Sequence, residues 1–350
     1  MIERNRRWLL EKRPTGLALE GCFRISEEPV PEPGAGEFLV QNLLLSCDPT
    51  QRGWMARDTY VPAVKIGEVM RSGAAGRVVA SHHPGFAVGD AVMGMLGWQD
   101  YALVGVGTPL PTKLPRDVPL EAAMSILGAT GITAYFGLLD VGKPRGGETV
   151  VVSGAAGATG SVVGQIARIQ GCRAIGIAGG KDKCDWLVRK ARFDAAIDYK
   201  SEDVAARLRE LCPKGIDVYF DNVGGDILDL ALTQLAMRGR IVLCGAIATY
   251  NDDELRPGPK HYMNLLLKRG RMEGFLVLDY MPRALEAGMQ LWSWVQAGQI
   301  AFQVDLVHGL ENAPRALMRL FSGENLGKQL VDLRETGSPG SKEILPSGET

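Results

Sequence analysis

VVVSGAAGATGSVVGQIA, residues 150–167, decides how this chain is read. A β-branched run from Thr149 to Val152 meets a turn carrying Gly154, Gly157 and Gly160, and an amphipathic helix follows with Val162, Ile166 and Ile169 on one face. Glycines at a strand-to-helix junction allow a tight turn and let backbone N–H groups approach a pyrophosphate, which the positive end of the helix attracts. The spacing is GxxGxxG instead of GxGxxG, so the pattern alone says little. Its place at the head of a βαβ series makes it a dinucleotide cradle.

Downstream of the motif, RAIGIA, AAIDY, IDVYFD and RIVLCGA read as buried strands, and amphipathic helices run from Ser161 to Gln170 and onward from Asp182. That alternation predicts a parallel sheet covered by helices on both faces. Upstream, residues 1–120 read differently: EFLVQNLLLS, AGRVVAS, DAVMG and QDYALV are strands separated by Gly, Pro and Asp clusters such as HHPGFAVGD. A last helix (Asn312 to Phe321) and the strand LGKQLVDL can return to either domain. The closing RETGSPGSKEILPSGET has no periodicity and is expected to be a flexible tail.

The chain has 350 residues, 46% hydrophobic and 23% charged, with a net charge of −1. That length suits roughly two domains of ordinary size, and no surplus of Lys and Arg points to nucleic acid as a partner. No run reaches the roughly 20 apolar residues of a membrane span, and MIERNRRWLLEKRP lacks an apolar signal core. A cytoplasmic protein with no membrane partner is therefore expected. Its six cysteines include no CxxC pair, which fits reduced thiols.

The choice of dinucleotide rests on the second strand. An NAD site usually places Asp or Glu at its tip to bind the ribose 2′-hydroxyl. Here RAIGIA ends in GGKDK: Gly179 and Gly180 leave room, while Lys181 and Lys183 supply positive charge suited to a 2′-phosphate. NADP(H) is the expected cofactor.

Taken in order, SGAAGATGSVVGQIA, FDNVGG, CGAIATYN, RMEGF and ENLGK resemble the zinc-independent medium-chain dehydrogenase/reductases. The nearest likeness is to the leukotriene B4 dehydrogenase/prostaglandin reductase group, which also holds plant double-bond reductases and bacterial curcumin reductase. The resemblance implies an α/β protein with a GroES-like β-rich catalytic domain (1–120, completed by about 312–335) and a Rossmann doubly wound parallel sheet (121–311). It implies NADPH-dependent reduction of the C=C bond of an α,β-unsaturated ketone or aldehyde, usually in a homodimer. Carried onto this chain, it places Ala158, Thr159, Gly160 and Ser161 at the pyrophosphate, and Lys183 and Tyr199 at the 2′-phosphate. Asn222 and the loop of Cys244, Gly245, Ala246, Ile247, Ala248, Thr249 and Tyr250 line the cofactor. Phe275, Leu276, Val277 and Asn325 surround the nicotinamide. Lys181 lies outside the family pattern and enters on its charge alone.

Hydride transfer to an enone leaves a developing oxyanion, and Tyr250 is the candidate catalytic residue to hydrogen-bond it or relay a proton. Zinc chemistry needs clustered Cys, His or carboxylate ligands. His82 and His83 share a solvated turn, and no cysteine-rich lobe appears, so no metal is expected. In LSCDPTQRGWM, Cys47 lacks a visible base and reads as a wall residue; Asp48 is expected to order the turn, and Arg52 to make a structural ion pair. The family commonly has DPYMR where this chain has DPTQR. Thr50 thus opens a substrate wall that Trp54, Tyr60 and Tyr262 can partly refill, which suits a bulkier or more polar substrate. A quinone reductase-like or hydroxyl-oxidising activity, or NADPH binding without turnover, remains as an alternative.

Overall fold

The computed structural model describes residues 4–334 except 253 and 255; the expected tail, 336–350, lies outside them. The chain opens with an antiparallel ribbon, β1 (Arg4–Leu10) and β2 (Phe23–Pro29). There follow β3 (Phe38–Ser46), the short helix α1 (Gln51–Ala56), β4 (Ala74–Ser81), β5 (Ala91–Gly94), β6 (Tyr101–Val104) and β7 (Thr112–Lys113). β3 is the central strand, and its Phe38, Val40, Leu44 and Leu45 are fully buried, as its near-continuous apolar run requires. The ribbon is absent from the sequence reading. Its Arg and Glu residues hide the pattern, because in β1 only Asn5, Leu9 and Leu10 are buried, which matches neither a strand nor a helix period.

Two helices, α2 (Leu120–Met124) and α3 (Ala129–Phe136), lead through a π-helical turn at Gly137–Gly142 into the second sheet. Its strands and helices alternate: β8 (Thr149–Ser153), α4 (Ala158–Ile169), β9 (Arg173–Ala178), α5 (Lys181–Arg189), β10 (Ala195–Asp198), α6 (Val204–Leu211), β11 (Ile216–Asp221), α7 (Gly225–Thr233), β12 (Leu235–Leu243), α8 (Met263–Lys268), β13 (Arg271–Gly274) and α9 (Ala284–Gln296). All pairings are parallel, in the order β10-β9-β8-β11-β12-β13. The strand order reverses between β8 and β11, so a crevice opens at their carboxyl ends, where open α/β sheets collect ligands.

Burial follows the period of two. Val150 and Val152 of β8 pack with Phe136, Val163 and Ile166 on one face, while Val151 packs with Leu208, Leu232 and Ile241 on the other. Fully burying each such side chain contributes about 1.5–3 kcal/mol. Helix α4 begins at Ala158, three positions ahead of the expected Ser161, because extended Gly157 caps it and the glycine-rich stretch supplies its first turn.

The chain then crosses back. β14 (Val304–His308), α10 (Ala313–Ser322) and β15 (Lys328–Asp332) complete a seven-stranded sheet of order β14-β15-β3-β4-β5-β7, with β6 also on β3. The return starts at Val304, ahead of the expected residue 312, because β14 pairs in parallel with β15, Leu306 opposite Leu330. No helix among the described residues is long and apolar enough to cross a membrane.

Candidate active site

The crevice is built from the turn after β8. Gly154 has φ +56, and a Cβ on Gly160 would collide with the Gly154 carbonyl, so the cradle closes only around glycine. Helix α4 has no side-chain cap. The N–H groups of its first turn, Ala158, Thr159 and Gly160, therefore point toward the crevice as an anion-binding set. Ser161 is buried, its hydroxyl turned toward the Ala158 carbonyl. This donor set and the missing Cβ fit a dinucleotide pyrophosphate.

Asn222 closes the cradle from β11: its side-chain amide donates to Ser153 O at 2.7 Å, and its backbone N–H to Ser153 Oγ at 2.9 Å. Beneath it the buried Asp221 carboxylate accepts from Ser153 Oγ, Val223 N–H and Gly224 N–H. Burial outweighs these bonds and raises the Asp221 pKa. The loop after β12 stacks on this strand end: Cys244 and Gly245 N–H donate to Asp221 O, and Ile247 and Ala248 N–H to the carbonyls of Asn222 and Val223. Phe275 follows β13, its ring lying against Gly137 and 6.3 Å from the Phe220 ring centroid. Val277 packs beside the core, whereas Leu276 is exposed.

At the tip of β9 the Tyr199 ring lies against Gly179, and Lys183 Nζ donates to Gly323 O at 2.8 Å. Desolvation first, then Lys200, lowers the Lys183 pKa. Lys181 instead pairs with Asp185 on the exposed face of α5. Asp198 holds the tip, accepting from Gly180 N–H at 2.7 Å. Neither Gly323 nor Asp198 was legible beforehand, since both arrive from other elements. Asn325 is buried, its amide donating to Gly327 O at 3.0 Å, and Gly327 N–H donates to Ala156 O at 2.8 Å, which draws this segment onto the cradle.

A cleft of about 300 Å³ lies between the sheets, lined by Thr50, Arg52, Arg57, Tyr60, Tyr250 and Asp252 among others. Thr50 Oγ1 and Tyr60 OH are 2.7 Å apart, and Trp54 stands edge-on to Tyr60. The Tyr250 phenol oxygen accepts from Ala246 N–H at 3.1 Å, which leaves its own hydrogen to donate. Burial raises its pKa, so the phenol is protonated at neutral pH.

One expected wall residue lies elsewhere, and the turn that begins at Cys47 takes a defined set of partners. Tyr262 does not line the cleft; it is 58% exposed at the start of α8, because that helix turns Leu265 inward. Gln51 is buried and pins the turn through Asp48 N and Arg71 O. Arg52 donates to Gly16 O at 2.7 Å, while Asp48 pairs with Lys328 at 2.9 Å, which links the turn to β15. Cys47 is a packing residue, its thiol pushed up to about 12 by burial. Among the described residues, no three His, Cys, Asp or Glu side chains are grouped to hold a metal ion.

Comparison with known proteins matches residues 6–110 to the N-terminal domain of oxidoreductases and residues 158–294 to the zinc-binding dehydrogenase model. The chain is 41% identical to the NADPH-dependent curcumin reductase of Escherichia coli, covering 94% of this chain and 97% of that one. It is 42% identical to the NADP-dependent 2-alkenal reductase of Nicotiana tabacum, over 93% and 97%. The structure of CurA from Vibrio vulnificus in complex with NADPH superposes with a TM-score of 0.89 at 40% identity, covering 94% and 99%. The chain belongs to the medium-chain dehydrogenase/reductase family, in the group that includes the curcumin and 2-alkenal reductases.

Proposed function

We propose that this protein is an NADPH-dependent, zinc-independent reductase of the C=C bond of α,β-unsaturated ketones or aldehydes. The observation that carries the reading is Tyr250: a protonated phenol on a cofactor-side loop, in the same cleft as Thr50 and Tyr60. The first turn of α4 and Asn222 hold the pyrophosphate and adenosine half, Lys183 and Tyr199 the 2′-phosphate, and Phe275, Val277 and Asn325 the nicotinamide end. The bound nicotinamide supplies the hydride that the substrate β-carbon accepts. The chain's task is to bind the enone flat in the cleft, exclude water and offer a donor where negative charge grows on the carbonyl oxygen. Tyr250 fills that last role, since its phenol oxygen accepts from Ala246 N–H and its hydrogen is left to donate.

The same reading assigns 1–120, with the returning C-terminal strands, to the catalytic domain, and the intervening chain to cofactor binding, in a cytoplasmic homodimer. The outer edge of β13 and the exposed Met263, Leu266 and Leu267 of α8 support a second copy packing there. The test is loss of NADPH absorbance with a panel of enones, enals and quinones. Turnover of enones establishes the reaction; NADPH binding without turnover of any of them refutes it.

A further inference from the structure

Lys328 is the first residue of β15, and its side chain is only 3% exposed. Its Nζ donates to Cys47 O at 2.7 Å, Asp48 Oδ1 at 2.9 Å and Gln329 O at 3.3 Å, which uses all three ammonium hydrogens. Burying an ammonium is costly even when it is paired, so such a pair is poorly explained as a stabiliser of sheet packing. Its position suggests another use. Asp48 also bonds to Ser46 Oγ and starts the turn that leads through Thr50 into α1, the wall of the cleft. On the other side, Gly327 immediately before it is bonded to Ala156 in the phosphate cradle, with Asn325 bonded to Gly327. One side chain thus joins the substrate wall to the segment that borders the cofactor.

We propose that Lys328 is a positioning residue for the reaction: its bond to Asp48 fixes the Thr50 wall relative to the cofactor crevice. This rests on the reductase reading above. Reactive groups must meet within a fraction of an ångström, and small misplacements transmitted from outside the reacting atoms cost up to about a hundredfold in rate. A role limited to strand packing would instead change stability and leave turnover alone.

The test uses Lys328→Met, which keeps the length of the side chain, and Asp48→Asn, which keeps the shape of the turn if the first variant folds poorly. For each, kcat and the KM values for enone and NADPH are measured beside backbone hydrogen exchange of residues 50–56 in the protein without cofactor. The expected result is a roughly tenfold or larger fall in kcat with KM for NADPH within about twofold of the parent, together with faster exchange in 50–56. The double variant should be no worse than either single one, because the two side chains act as a pair. Unchanged kcat and unchanged exchange, with only a lower melting temperature, would overturn the proposal. If the parent protein consumes no NADPH with any enone, the reductase reading falls. The exchange arm then still decides whether Lys328 orders the wall.

Discussion

Lys183→Ala is the substitution on which the cofactor assignment turns. The ammonium is half-buried against Gly323 O at 2.8 Å, with Tyr199 close by, at the tip of a strand that carries no acid for a ribose hydroxyl. A hydrogen bond from a charged donor to a charged acceptor is worth about 1.5–3 kcal/mol, and about 1.4 kcal/mol corresponds to tenfold in affinity. Removing the ammonium should therefore weaken NADPH by roughly ten- to hundredfold. The lost bond to Gly323 disturbs the neighbouring loop for either cofactor, so its contribution cancels in the ratio. NADH has no 2′-phosphate and should lose only that shared part. The assay is steady-state KM for NADPH and NADH with one enone, supported by direct binding titrations at two salt concentrations. Lys181→Ala is the control: that residue is 79% exposed and paired with Asp185, so its removal should change either KM by little. Equal losses for NADPH and NADH in Lys183→Ala would refute the 2′-phosphate assignment.

Tyr250→Phe should lower kcat by about a hundred- to a thousandfold, the range seen when a donor to a developing oxyanion is removed. Because burial raises the Tyr250 pKa, the phenol stays protonated up to and beyond the ordinary tyrosine value of about 10. Activity should thus fall only on the far alkaline side; an unchanged kcat in the Phe variant would leave Tyr250 a packing residue. Thr50→Tyr breaks the 2.7 Å contact with Tyr60 and fills part of the cleft, so KM should rise for bulky enones and stay near the parent value for small ones. A uniform change across substrate sizes would count against Thr50 as a size filter. Prolonged chelation should leave kcat unaltered, and activity restored only by added zinc would overturn the zinc-independent reading.

The sequence alone determined the cradle and the sheet type, because both are local. A β-branched run, spaced glycines and a 3.6-residue apolar stripe leave few other conformations for residues 149–170. Continuous apolar strands such as VVVS and IDVYF likewise require a sheet buried on both faces. The place of Lys183 at the tip of β9 was also legible, since it depends on one strand, one turn and the start of one helix. The β1–β2 ribbon was not, because its charged residues pair across a long loop and only the partner strand makes the pattern meaningful.

What tertiary structure decided were the contacts between distant segments. Asp48 and Arg52 lie four residues apart, so the sequence invites a pair between them. The fold brings Lys328 to Asp48 and turns Arg52 toward the Gly16 carbonyl. Tyr60 and Tyr262 are both tyrosines suited to a substrate wall. Only Tyr60 reaches Thr50, while α8 presents Tyr262 to the surface. Buried charges take whichever partner the packed chain offers, and a side chain's surroundings depend on how sheets and helices meet. Neither is encoded in local spacing, so the chemistry-bearing cradle could be read from residues in a row and the wall opposite it could not.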